Sequence, residues 1–177
     1  MDIALSDFIL IIAAIIVGLV VFGFTSAYIA PQYAFTYAEH DAKTISQSTF
    51  MDVSPPETTS TGCCNYLIYV YSPGFSGNFT IVAFYIPSND LQSIAVVTPS
   101  SSSSCPVYIN STLAKKITLG NVYDINGHLL VSGVSGYTVP ANYPIQIIIP
   151  PKPGYSLVIW VIYSDGGYNF RISYAYG

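Results

Sequence analysis

Charge is what this chain has least of. Charged residues make up 8% of it, and Lys43, Lys115, Lys116, Lys152 and Arg171 are its only bases, against nine acids. A typical soluble domain carries about 25% charged residues, so this surface suits burial by neighbours, glycans or lipid better than life in a crowded cytosol. The scattered bases exclude nucleic acid as a partner, because phosphate binding needs clustered Lys and Arg. Histidine is almost missing, with His40 and His128 far apart. There is no HExxH, nucleophile elbow, glycine-rich phosphate loop or paired metal-ligand spacing, and the acids are too dispersed to nominate a carboxylate pair. Asp124-Ile125-Asn126-Gly127 looks like a calcium-loop fragment, but the opening acid pair and closing Glu are missing. The expectation is a non-enzyme with no cofactor, no metal and no small-molecule substrate.

Cysteine is scarce too: Cys63, Cys64 and Cys105. Adjacent cysteines bridge each other only with strain, and C-C…C is not a zinc pattern. In an oxidising compartment Cys64 (or Cys63) is expected to bridge Cys105, leaving one thiol over.

What is abundant is apolar. No residue from Phe8 to Ala38 is charged, and Phe8 to Phe24 is continuously apolar. That length crosses hydrocarbon, where the backbone must satisfy its own hydrogen bonds, so the run is a helix despite its β-branched residues. A buried core helix would keep a polar face, and a cleaved secretory signal would open on basic residues; this segment does neither. Asp2 and Asp7 precede the run and favour an N-terminus left outside, or in the acyl environment of an assembly. Ala14, Gly18 and Gly23 are small residues that permit close helix packing.

Pro31 is expected to kink or restart the helix, which then continues for about 15–20 residues on an Ala34, Tyr37, Ala38, Ile45 stripe. Residues 1–53 therefore form the N-terminal helical segment and 54–62, Ser-Pro-Pro-Glu-Thr-Thr-Ser-Thr-Gly, a linker. From 63 to 177 come eight to ten short β runs, with a type I′ hairpin expected at Asn126-Gly127 and a turn at Asp165-Gly166-Gly167. The fold class is α+β: a long apolar helix followed by an all-β, Ig-like antiparallel sandwich. Asn78-Phe79-Thr80 and Asn110-Ser111-Thr112 are N-glycosylation sequons, which with the cysteines put the β-domain outside the cell.

Ala4-Leu5-Ser6-Asp7-Phe8-Ile9-Leu10-Ile11-Ile12 leading into a long apolar helix, then a Tyr/Ser/Thr-rich β-sandwich, resembles the archaeal type IV pilin-like superfamily of adhesive pilins, archaellins and archaellum accessory proteins. The resemblance implies that helices first span the membrane and then pack into a filament core, with β-domains as the outer shell, serving adhesion or motility. It implies self-association, and Asp7 as partner of a neighbour's terminal amine. No basic residue precedes the helix, so either Met1 lies near the mature terminus or the chain is never processed. The second case implies the membrane-anchored stator type, whose sandwich binds the S-layer.

Overall fold

The computed structural model describes residues 2–93, 98–99 and 105–177, with side chains for 5–90, 98–99 and 105–177. The strand expected over Ile94–Thr98 and the serine run Ser100–Ser104 fall, Thr98 aside, outside the described residues. The chain divides into two compact units, Met1–Tyr37 and Ala38–Gly177.

The first unit is helical. Helix α1 runs unbroken over Asp2–Phe24 and passes into a π-turn, Thr25–Ile29, in which the Ala30 N–H donates to the Thr25 carbonyl. Helix α2 follows over Ala30–Ser48. Pro31 accounts for the turn: it has no N–H to give, and its ring crowds the carbonyl four residues back, so the wider π-turn supplies the missing room. The irregularity expected near Pro31 thus lies in the turn just before it.

From Ala38 onward α2 belongs to the second unit. Ala38 and Ala42 are 1% and 0% exposed, small enough to bring the helix backbone against the domain. On the same face the Tyr163 hydroxyl donates to Asp41 Oδ2 at 2.6 Å, and Ser46 Oγ donates to the Ile172 carbonyl at 2.7 Å. The helix ends at Ser48, and Phe50–Val53 is strand β1, so the helical segment expected to reach 53 ends earlier. The expected linker 54–62 contains a short strand, β2 (Glu57–Thr58). Both pair antiparallel with β3 (Cys64–Tyr71). Neither is long enough to show a two-residue alternation in sequence.

The remaining strands are β4 (Asn78–Pro87), β5 (Val107–Ile109), β6 (Thr112–Leu113), β7 (Lys115–Tyr123), β8 (Leu129–Pro140), β9 (Pro144–Ile149), β10 (Tyr155–Asp165) and β11 (Tyr168–Tyr176). They form an open sheet in the order β1-β3-β9-β5-β6, with β2 on β3, and a closed barrel in the order β10-β11-β7-β8-β4. The antiparallel all-β character matches expectation. The second sheet departs from a sandwich layer by closing on itself, through a parallel seam of two residue pairs, Asn169↔Val122 and Phe170↔Tyr123.

Burial follows from this arrangement. The open sheet alternates, with Tyr66, Ile68, Val70, Ile145, Ile147 and Ile149 buried and Leu67, Tyr69 and Tyr71 exposed. Strands β4 and β10 do not alternate, because both their faces are covered. Val82, Phe84, Val158, Trp160 and Ile162 fill the barrel, with Phe84 and Trp160 edge to face at 5.4 Å. Ile81, Ala83, Ile159 and Val161 are fully buried on the opposite face. Each Val, Ile or Phe among them contributes about 1.5–3 kcal/mol by leaving water.

The β7–β8 connection corrects the expected type I′ turn. Asp124 N–H donates to His128 O and Gly127 N–H to Asp124 O, while Gly127 alone in the loop has positive φ, at 79°. A type I′ turn needs positive φ at both central residues. This is instead a three-residue loop, a type I turn closed by a glycine bulge, and Asp124 explains the choice. Its Oδ1 accepts the N–H groups of Asn126 and His128, both at 2.8 Å, which holds Asn126 in the right-handed region.

Candidate functional site

Two places carry chemistry. The first is α1, where every described side chain from Leu5 to Phe24 is exposed. The helix is long and apolar enough to cross a membrane by length and composition. Its 23 residues extend about 35 Å at 1.5 Å each, against about 30 Å of hydrocarbon. With about 100° between successive residues, Asp7, Ala14 and Gly18 project within about 40° of one direction. A Cβ added at Gly18 would meet nothing within 4 Å. Gly23 projects about 180° away from Ala14. The helix therefore sets Ala14 and Gly18 on one side and Gly23 on the far side. The one charge in the exposed stretch, Asp7, stands on the Ala14–Gly18 line.

The second is a cleft of about 330 Å³ at the barrel seam, lined by Asp124, Ile125, Asn126, Arg171, Ile172, Ser173 and Tyr174. It opens where β7 ends and β11 continues beyond their two-pair seam. In β11, Ile162↔Arg171 and Val161↔Ser173 are partners, so Ile172 is an extra, bulged residue. The bulge shifts the alternation by one and puts Arg171 and Tyr174, three apart, on the face that carries Trp160 and Ile162. The Arg171 guanidinium lies 4.9 Å from the Trp160 ring centre and 4.8 Å from that of Tyr174. Burial pushes the Arg171 pKa down, with Tyr174 and Asp124 partly offsetting it. Burial would raise the Asp124 carboxyl, but hydrogen bonds from the His128 backbone, the His128 ring at 3.1 Å and the Asn126 backbone outweigh that and hold it below 3.8. Sequence reasoning missed this cleft. The available signal was Arg171, a lone charge inside the apolar run Phe170-Arg171-Ile172.

The remaining expected residues are scattered over the second unit. Asn78 is exposed at the start of β4. Asn110 is exposed in the β5–β6 turn at φ 49°, and its Nδ2, the atom a glycan would take, donates to the Tyr143 hydroxyl at 2.9 Å. Cys63, Cys64 and Cys105 are free thiols, so the expected bridge from Cys64 (or Cys63) to Cys105 is not formed. Strand β9 lies between β3 and β5, with Cys64 opposite Ile149. Ladder pairing commits Cys64 to the open sheet. Cys105 leaves that sheet, its N–H donating to Ala83 O on β4 at 2.7 Å. Its thiol is pushed up by burial, and Tyr85, which feels all three cysteines after its own burial, is pushed up to about 12.

No family model matches the chain. No curated protein matches it. Among solved structures the chain is similar to the human F-spondin reeler domain, at a TM-score of 0.33 and 8% identity over 70% of this chain and 80% of that one, a likeness too slight to carry an argument.

Proposed function

We propose that this chain is a structural subunit of an extracellular type IV pilus-like or archaellum-like filament. Its helix spans the membrane before assembly and lies in the filament core afterwards, with the β-domain forming the outer surface in adhesion or motility. The observation that carries this reading is a single helical face combining Asp7, Ala14 and Gly18 on an otherwise apolar, exposed helix. Lipid and a core of identical helices are equally apolar, so transfer between them costs little and small residues decide which face packs. An acid on that same face gives a neighbour's terminal amine something to pair with, which fixes register. Exposed tyrosines on the second unit, among them Tyr69, Tyr71, Tyr155 and Tyr176, supply contact area and a hydroxyl together, as subunit interfaces require. The Ig-like assignment of the domain belongs to the same reading, with one layer open and the other closed.

The test compares Gly18→Phe with Gly23→Phe by quantifying the chain in sheared surface filaments and in washed membranes. A cost of about 1.4 kcal/mol per helix contact lowers association about tenfold, so Gly18→Phe is expected to empty the sheared fraction. Gly23→Phe, on the opposite face, is expected to leave most of it. A wild-type chain found only in membranes, with both variants indistinguishable from it, would sink the filament reading and leave a lone anchor of the stator kind.

A further inference from the structure

We propose that the barrel-seam cleft binds a neutral sugar, one monosaccharide unit at the end of a glycan. This assignment does not depend on whether the helix polymerises or merely anchors. The lining argues for a polyol. At the rim Asn126 offers both a donor and an acceptor, and Asp124, beside the Arg171 guanidinium, keeps acceptor capacity at Oδ2 beyond its bond to His128. Vicinal hydroxyls, each donor and acceptor at once, match such a mixed set. A simple anion matches it less well, because the Asp124 carboxylate stands in the same wall as the Arg171 guanidinium and the two formal charges cancel. Tyr174 adds a ring 41% exposed at the mouth, a flat apolar surface for the C–H face of a pyranose.

The site is also preorganised. Arg171 is 9% exposed and held between two aromatic rings by the bulge at Ile172, so its fork has little freedom left to lose on binding. Asp124 is fixed by the turn it nucleates. At about 330 Å³ the cleft suits a single sugar ring rather than a chain.

Trp160, the only tryptophan in the chain, lies against the Arg171 guanidinium and reports on the cleft from inside. The full chain in detergent is titrated with glucose, galactose, mannose and N-acetylglucosamine, with glycerol and sodium acetate as controls, while Trp160 emission is followed. One sugar is expected to give a saturable change with a Kd on the order of millimolar, which glycerol does not reproduce. The Asn126→Ala variant, altered only at the exposed cleft rim, is expected to weaken that binding at least about tenfold while its melting temperature stays within about 2 °C. No saturable response to any of the four sugars overturns the proposal. So does an unchanged Kd in the Asn126→Ala variant, or a response to acetate that exceeds the response to sugar.

Discussion

Asn142 shows how much a single residue can hold together. It sits at φ 61°, in the left-handed region that Asn tolerates better than most residues. Its Oδ1 accepts the Ser72 N–H at 2.7 Å, its Nδ2 donates to the carbonyls of Ser72 and Phe75, and its own N–H donates to Val70 O. One carboxamide thereby clamps the β3–β4 turn to the β8–β9 turn. Asn142→Ala is expected to cost about 2–4 kcal/mol, from the lost hydrogen bonds and the left-handed backbone together. Asn142→Gly recovers the backbone share, about 1 kcal/mol. Denaturant midpoints at constant slope measure both, and an Ala variant within about 0.5 kcal/mol of wild type would contradict the clamp. From sequence Asn142 is merely a turn residue, because its partner Ser72 is 70 positions away. The same distance problem hid the cysteine geometry. Cysteines can be counted from sequence, but the turn of the chain that carries Cys105 from the open sheet to β4 cannot.

Among the elements, those strands were legible whose ends carry turn residues. Strands β3, β4, β9, β10 and β11 lie within a residue of the aromatic and branched runs 65–71, 79–86, 143–149, 156–164 and 168–176. Strands β7 and β8 are longer than their apolar runs suggest, because Gly120, Gly133 and Gly136 look like breaks. Gly136 is no break. A Cβ there would come within 2.7 Å of Thr80 Cγ2 and 2.9 Å of both Ile81 O and Val82 Cγ2. The bare backbone lets β8 serve β7 and β4 at once, and so lets the barrel close. Gly136→Val is expected to destabilise the second unit by about 3 kcal/mol or more, since the crowded atoms include a carbonyl that cannot step aside. A melting temperature unchanged in this variant would mean that β4 and β8 separate without loss.

At the scale of the whole molecule, the boundary between units does not follow composition. The Ser/Thr/Pro-rich stretch looks like the joint, yet the second unit begins at Ala38, inside α2. Amphipathic periodicity after Pro31 was readable, but not that its apolar side belongs to the β-domain. Truncation separates the two descriptions. A chain starting at Ala38 keeps Ala38, Ala42, the Asp41–Tyr163 bond and β1, and is expected to fold as a soluble monomer. A chain starting at Ser54 loses all of them and uncovers the face they packed on, so it should melt at least about 10 °C lower or aggregate. Size-exclusion chromatography and thermal circular dichroism decide between them; equal behaviour would show that the C-terminal half of α2 adds nothing.

The two-pair seam between β7 and β11 also bears on how the protein is made. Strand β4 waits for β8 and β10, and β7 waits for β11, so the barrel has no closed form until residues up to Phe170 have been synthesised. Long-range pairings of this kind form slowly because a large loop must close before any contact rewards it. A nascent chain therefore lacks a closed barrel for almost its whole length, and the last strand to be made is the one that locks the domain.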